Sequence, residues 1–143
     1  MITELTWQDI PALASLGPTF AAESPAMGVF NRVHFTTTLS ELMNNGLVHG
    51  WVATSDEGIV GALAFVLSPS LTSGEMTAQE LFWFVLPDHR GLLGVKLLKR
   101  AISELRPKVT KIFIGAIQND GAEAVCHLLT RAGGTLLERM YVF

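Results

Sequence analysis

Cysteine is nearly missing from this chain: Cys126 is alone among 143 residues. A single cysteine excludes an intramolecular disulfide and a cysteine-built zinc site, and it fits a reducing compartment, so a cytoplasmic location is expected. Charge is scarce as well. Charged residues make up 16% of the sequence, against about 25% in an ordinary soluble domain. Neither sign dominates, since ten basic and thirteen acidic residues leave a formal charge of −3. That balance lacks the electrostatic footprint of a nucleic-acid binder. Long apolar runs are also missing. The longest, Ile59 to Leu67, has nine residues, against roughly 20 for a membrane-spanning helix. The start, Met-Ile-Thr-Glu-Leu-Thr-Trp, has neither the positive segment nor the apolar core of a secretory signal. No membrane partner is expected.

What is present is apolar. Hydrophobic residues make up 49% of the chain, which excludes intrinsic disorder. A chain of this length buries close to ~68% of its unfolded surface, so residues 1–143 are expected to form one domain around one core. With so little charge on the surface, some apolar area is left for a ligand or a partner, including a second copy in a homodimer.

Hydrophobic spacing sets an element order. Ile2 to Leu5 is a short strand. Thr6 caps a helix with Asp9 in its first turn, and Ile10, Leu13, Ala14 and Leu16 follow helical spacing. Gly17-Pro18 interrupts it, with Thr19 to Ser24 as a resumption and Pro25 to Gly28 as a loop. Asn31 to Asn45 is a second helix stopped by Gly46. Trp51 to Ala53 and Ile59 to Leu67 flank a polar turn ending in Gly58 and predict a hairpin. Ser68 to Ala78 reads as a loop. Glu80 to Leu86 is an aromatic strand too apolar to face water on either side. A helix over Leu93 to Leu105 turns Val95, Leu98, Ile102 and Leu105 inward. Lys111 to Ile117 is a strand, Gly121 to Ala132 a helix, and Leu136 to Phe143 a last strand. The order β-α-α-β-β-β-α-β-α-β predicts an α/β sandwich: a mixed sheet with helices on its faces.

The segment richest in chemistry is Val85-Leu86-Pro87-Asp88-His89-Arg90-Gly91-Leu92-Leu93-Gly94-Val95. A buried strand stops at proline, and after a glycine-containing turn a helix begins. Helix N-termini present unpaired N–H donors and a partial positive charge, which suits phosphate. Glycine allows close approach, and the Arg90 fork matches phosphate oxygens. An ordinary strand–turn–helix corner would have the same local sequence.

Val85-x-Pro87-x-x-Arg90-Gly91-x-x-Gly94-x-x-Leu97-Leu98 resembles the acyl-CoA motif of the GNAT superfamily of N-acetyltransferases, whose core is Arg/Gln-x-x-Gly-x-Gly/Ala between the fourth strand and the third helix. The resemblance spans nearly the whole chain. It implies a central sheet of six to seven strands, four helices, and acetyl-CoA as co-substrate. It also implies pantetheine contacts from the backbone of Phe84 and Val85, and pyrophosphate contacts from the N–H groups of Arg90, Gly91, Leu92, Leu93, Gly94 and Val95. Asn119 would touch or align the pantetheine arm; alternatively, Asn119-Asp120-Gly121 only turns the chain.

The sequence departs from the pattern in three ways. The turn is one residue short when Arg90 and Gly94 are both aligned, as in acetyltransferases of phages and related bacteria. Otherwise His89 takes the first motif position and Leu92 stands for a glycine. Leu129 occupies the place of the tyrosine that often protonates the leaving thiolate, and Gly134 that of a usual phenylalanine.

Some members of that family place a general-base glutamate where Glu80 stands, and an apolar strand would raise its pKa; alternatively Glu80 is a solvated residue at a strand start. Asp88 and Glu23 are weaker acid–base candidates. His34, His49 and His127 read as structural, and no metal is expected. His89 lies in the phosphate turn, Cys126 reads as buried packing, and Tyr141 could serve only if its strand curved inward. Phe20, Phe30 and Phe35 fall where the family forms its acceptor wall; helical core packing accounts for Phe35 equally well. The resulting expectation is acetyl transfer to a primary amine on a small molecule or protein, by direct attack. A non-catalytic acyl-CoA-binding module is the alternative.

Overall fold

The computed structural model describes residues 1–24, 28–117 and 119–143. Strand β1 is Ile2–Glu4. Thr6 then starts a single 3-10 turn, Trp7–Asp9, in which the Asp9 carboxylate accepts the Thr6 backbone N–H at 2.7 Å and its hydroxyl at 2.9 Å. Helix α1 follows at Ile10–Ala22. The expected break at Gly17-Pro18 does not occur. Proline removes one backbone bond and crowds the preceding turn, but Ile10, Leu13, Ala14 and Gly17 are buried on one face, and that packing carries the helix through. Of the loop expected at Pro25 to Gly28, the first three residues lie outside the described residues.

Helix α2, Arg32–Asn44, begins where Asn31 Oδ1 accepts the His34 N–H at 2.9 Å. It ends before Gly46, whose φ of +68° glycine adopts without strain. Strands β2 (Val48–Ser55), β3 (Gly58–Pro69) and β4 (Met76–Val85) make an antiparallel meander. All three outrun the apolar stretches that mark them in sequence. The expected loop Ser68 to Ala78 shortens to residues 70–75, because Ser68 pairs with Thr77 and Pro69 with Met76. Helix α3 is Leu92–Leu105, β5 is Lys111–Phe113, and α4 is Ala122–Arg131.

The sheet order is β1-β2-β3-β4-β5, antiparallel except for the β4–β5 pair. The chain is therefore the expected mixed α/β sandwich, with four α-helices and, among the described residues, five strands rather than six to seven. Two strand expectations need correcting. Lys111 to Ile117 shrinks to Lys111–Phe113, because β4 turns away after Gln79 and leaves the rest of β5 without a ladder. Leu136 to Phe143 is apolar enough for a strand, but it pairs with no described strand and is exposed along its length.

Each face of the sheet carries its own core. Leu63, Phe65, Ala78 and Val85 pack beneath Leu97, Leu98, Ala101 and Leu105 of α3, with Leu128 and Leu129 of α4 at the margin. Leu97 and Ala101 thus belong to the inner face of α3, beside the expected Leu98 and Leu105. On the opposite face Val52 and Ala62 meet Ile10 and Leu13 of α1 and Leu39 of α2.

A bulge in β4 decides which face its residues serve. Phe82 pairs with Ala64 but Glu80 pairs with Phe65, so Leu81 is an extra residue between them. Without it Glu80, Phe82 and Phe84 would share one face. With it, Glu80 and Ala78 stand opposite Phe65 and Leu67, both of the α3-side core, while Leu81, Phe82 and Phe84 line the space under α1 and α2.

Candidate active site

Strand β4 has a partner on each edge only as far as Gln79, because β5 pairs with Thr77–Gln79 alone. Beyond that point the two strands part while β3 continues along the other edge as far as Val85. Glu80 stands where they separate. Its Oε2 accepts the Gly115 N–H at 2.9 Å, so a carboxylate replaces the ladder bond that β5 no longer makes. Burial pushes the Glu80 carboxyl above its ordinary value of 4.5, and the Gly115 N–H offsets only part of that rise.

At the end of β4 the chain makes a 3-10 turn, Pro87–His89, and then reaches Gly91, whose φ is +98°. A side chain at Gly91 would stand in open space, so glycine serves the backbone angle there and also leaves the turn uncovered. Leu92 opens α3 and is 77% exposed. The N–H groups of Arg90 and Val95 are already donated, to Pro87 O at 3.3 Å and Gly91 O at 3.4 Å. The donors of the first turn, from Leu92 to Gly94, have no helical carbonyl four residues behind them and point to the helix mouth. Gly94 itself is buried; a methyl there would touch Trp83 and Val85 at 3.7 and 3.9 Å. Those are ordinary van der Waals distances, so an alanine would also fit there.

Arg90 is committed within the protein. Its Nε donates to Val85 O at 3.0 Å and its Nη2 to both Glu23 oxygens at 2.6 Å. The guanidinium therefore ties the end of α1 to the end of β4, and Glu23 is its ion-pair partner. Asn119 Oδ1 accepts the Gly121 N–H at 2.9 Å, and its backbone carbonyl accepts Ala122 N–H at 3.0 Å, so it shapes the turn into α4.

Other residues singled out in the sequence fall away from this region. His89 lies 3.9 Å from Glu57 at the surface, and His127 the same distance from Glu123. Cys126 is exposed, contrary to the expected buried packing, because α4 presents that position outward. Tyr141 is 76% exposed on the unpaired C-terminal segment.

On the α1–α2 side of β4 lies an apolar groove of about 520 Å³. The phenylalanines expected to form an acceptor wall meet there. Phe20 packs edge-on against Phe84 at 5.3 Å, Phe30 against Phe35 at 5.3 Å, and Phe35 against Phe82 at 6.1 Å. A methyl on Gly17 would overlap the Phe30 ring, so glycine in mid-helix lets that ring close one end. The sequence singled out neither His34 as a groove residue nor the role of Gly17. Only the helical phase of α2 relative to β4 could have placed His34 there.

A split sheet with helix-terminal donors at the end of its inner strand, beside an apolar groove, is a site for a long anionic ligand and a second, smaller one. Residues 15–133 match the acetyltransferase (GNAT) family, and the chain belongs to that family. It is thereby an N-acetyltransferase, an enzyme of acyl transfer. Solved structures agree in fold. A predicted acetyltransferase with acetyl-CoA from Clostridium acetobutylicum superposes with a TM-score of 0.79 at 16% identity, covering 100% of this chain and 94% of that one. A ribosomal-protein-alanine N-acetyltransferase from Brucella melitensis biovar Abortus 2308 gives 0.72 at 18% identity, covering 100% and 98%. An aminoglycoside acetyltransferase from an uncultured soil metagenomic sample gives 0.73 at 21% identity, covering 100% and 93%. No curated protein matches the sequence.

Proposed function

We propose that this chain transfers an acetyl group from acetyl-CoA to a primary amine by direct attack, without a covalent enzyme intermediate. The observation that carries this reading is the parting of β4 from β5, with the exposed first turn of α3 at the end of β4. An extended chain that ends in phosphates fits such a slot: backbone edge along its length, N–H donors at its end. Acetyl-CoA supplies an activated acyl group and a thiolate leaving group. The backbone edge of Phe84 and Val85 aligns the pantetheine arm, with Asn119 contributing from beyond β5. The N–H groups of Gly91, Leu92, Leu93 and Gly94 hold the pyrophosphate, flanked by Arg90 and Val95.

Glu80, at the apex of the slot, takes the proton of the attacking amine through water. Its raised pKa brings it nearer to neutrality, where a base is most effective. Water protonates the departing thiolate, because Leu129 stands where a tyrosine is frequent. The acceptor is a small molecule or a protein amine, the setting is the cytoplasm, and a homodimer is the expected assembly.

Thermal unfolding with and without ligand tests the reading. Millimolar acetyl-CoA raises Tm, because a ligand held only by the native state stabilises it. Adenosine alone raises it far less. Thiol release with an amine panel then separates transfer from mere binding. No shift with acetyl-CoA sinks the proposal; a shift without thiol release for any amine leaves a module that holds acyl-CoA and transfers nothing.

A further inference from the structure

The acetyl-transfer reading leaves the amine open, and the inference here rests on that reading. The groove beside β4 narrows the choice. We propose that the acceptor is a primary amine on an aromatic or bulky aliphatic body that carries no second positive charge. The rings of Phe20, Phe35, Phe82 and Phe84 set its walls, with Leu16 and Leu81 between them. Among its described lining residues there is no Asp or Glu. Three carboxylates lie close to the lining in sequence, and none is part of it. Glu23 is ion-paired with Arg90, Glu80 is held by Gly115 in the parting of the strands, and Glu41, next to Leu42, is exposed. A polyamine or aminoglycoside would have to bury further ammonium groups against phenylalanine with nothing to neutralise them, at a large desolvation cost. An apolar body gains from the same surface. The volume of about 520 Å³ also suits a small molecule, since ligand pockets commonly run about 300–1,000 Å³.

Polarity in the groove is confined to the α2 side. His34 Nε2 and Thr38 Oγ1 lie 3.5 Å apart there, with Asn31 one turn earlier. The groove also lies against the slot. Phe84 forms its floor and directly precedes Val85, while Glu23, three residues past Phe20, is tied to the turn that opens α3. An apolar setting lowers the pKa of an entering ammonium and favours the neutral amine that can attack. The nitrogen forms the new C–N bond as the thioester C–S bond breaks. One proton leaves nitrogen, one reaches sulfur, and the products are the amide and free CoA thiol.

The test uses the full chain and two readouts. Thiol release is measured with acetyl-CoA and either 2-phenylethylamine, tryptamine, putrescine, spermidine or kanamycin. Direct binding of the same amines is measured by calorimetry, without acetyl-CoA. The expected kcat/KM is at least about tenfold higher for the two aryl amines than for the polycations, and only the aryl amines bind the free chain. Thr38→Asp places a carboxylate on the wall. It should narrow or reverse the preference toward putrescine while leaving the acetyl-CoA Tm shift unchanged. A wild-type preference for spermidine or kanamycin, or no aryl-amine binding to the free chain, overturns the inference. Absence of an acetyl-CoA shift overturns the transfer reading instead. Calorimetry still decides the groove in that case, since it needs no acyl donor.

Discussion

Glu80 carries two separable consequences at the scale of single residues. Its folded pKa lies above 4.5 because burial disfavours the charge. The favourable contribution of its protonated form is therefore present below 4.5 and is lost as pH rises through the folded pKa. Glu80→Gln keeps an acceptor for the Gly115 N–H and removes the buried charge. Its Tm is expected to exceed that of the parent at pH 7–8, with the difference closing below 4.5; matched melting curves across pH decide this. If Glu80 is also the base, kcat falls about 10²-fold at neutral pH and partly recovers as pH rises and more amine arrives neutral. A higher Tm with unchanged kcat would confine Glu80 to structure. Leu92 offers an equally clean test of the turn. Leu92→Asp puts a carboxylate at an exposed first-turn position, where the helix dipole favours it by about 0.3–1 kcal/mol. Stability should hold or rise while acetyl-CoA affinity, measured by calorimetry, drops at least about tenfold, or 1.4 kcal/mol. Unchanged affinity would make the corner purely structural.

Among the elements, α1 shows packing prevailing over local preference. Pro18 sits in the exposed outer part of the helix interior and denies Ala14 its backbone donor. Pro18→Ala should raise stability by up to about 3 kcal/mol, the usual cost of an interior proline, read as a shift of the urea midpoint. No gain would mean that the helix had already relaxed around the ring. The other elements divide by where their causes lie. Helix α2 was legible from Asn31 and Gly46, and α3 from its apolar stripe, because caps and periodicity are local. The hairpin was legible at Gly58, though not the length of β2, since Val48-His49-Gly50 has no clear alternation and becomes strand only by pairing with β3. The end of β5 depends on where a different strand turns away. The acidic Glu80 and the glycine turn could be read from sequence. The engagement of Arg90 with Glu23, 67 residues earlier, could not.

For the molecule as a whole, both cores share one sheet, and β3 contributes Leu63 and Phe65 to one and Ala62 to the other. Neither face can be lost without exposing the strand that supports its opposite. Unfolding is therefore expected to be a single transition. Urea curves from tryptophan fluorescence, which reports Trp51 and Trp83 on the α3 side together with the exposed Trp7 before α1, should coincide with far-UV circular dichroism. Separate midpoints would show that the faces unfold independently. The C-terminal segment stands outside this cooperative unit. Met140, Tyr141, Val142 and Phe143 are at least 76% exposed, and Arg139 before them is exposed in unpaired chain. Brief native trypsin treatment should cut after Arg139 before it cuts at Lys96 or Lys99 in α3, as mass spectrometry would show. First cleavage within α3 would contradict that order.

The extra residue at Leu81 also bears on how such a chain can change over generations. Strand β4 is written in two frames, and one codon separates them. Deleting Leu81 would restore a single alternation, so that residues upstream of the lost position exchange faces relative to Phe82 and Phe84. Glu80 would leave the parting of the strands for the aromatic groove, and Ala78 would be drawn from beneath α3. A single in-frame deletion would thus give the groove an anion while stripping the slot of its own. For a scaffold of this kind, acceptor charge preference and proton-handling chemistry are linked through one residue of spacing, and a lineage could not readily alter the first without disturbing the second.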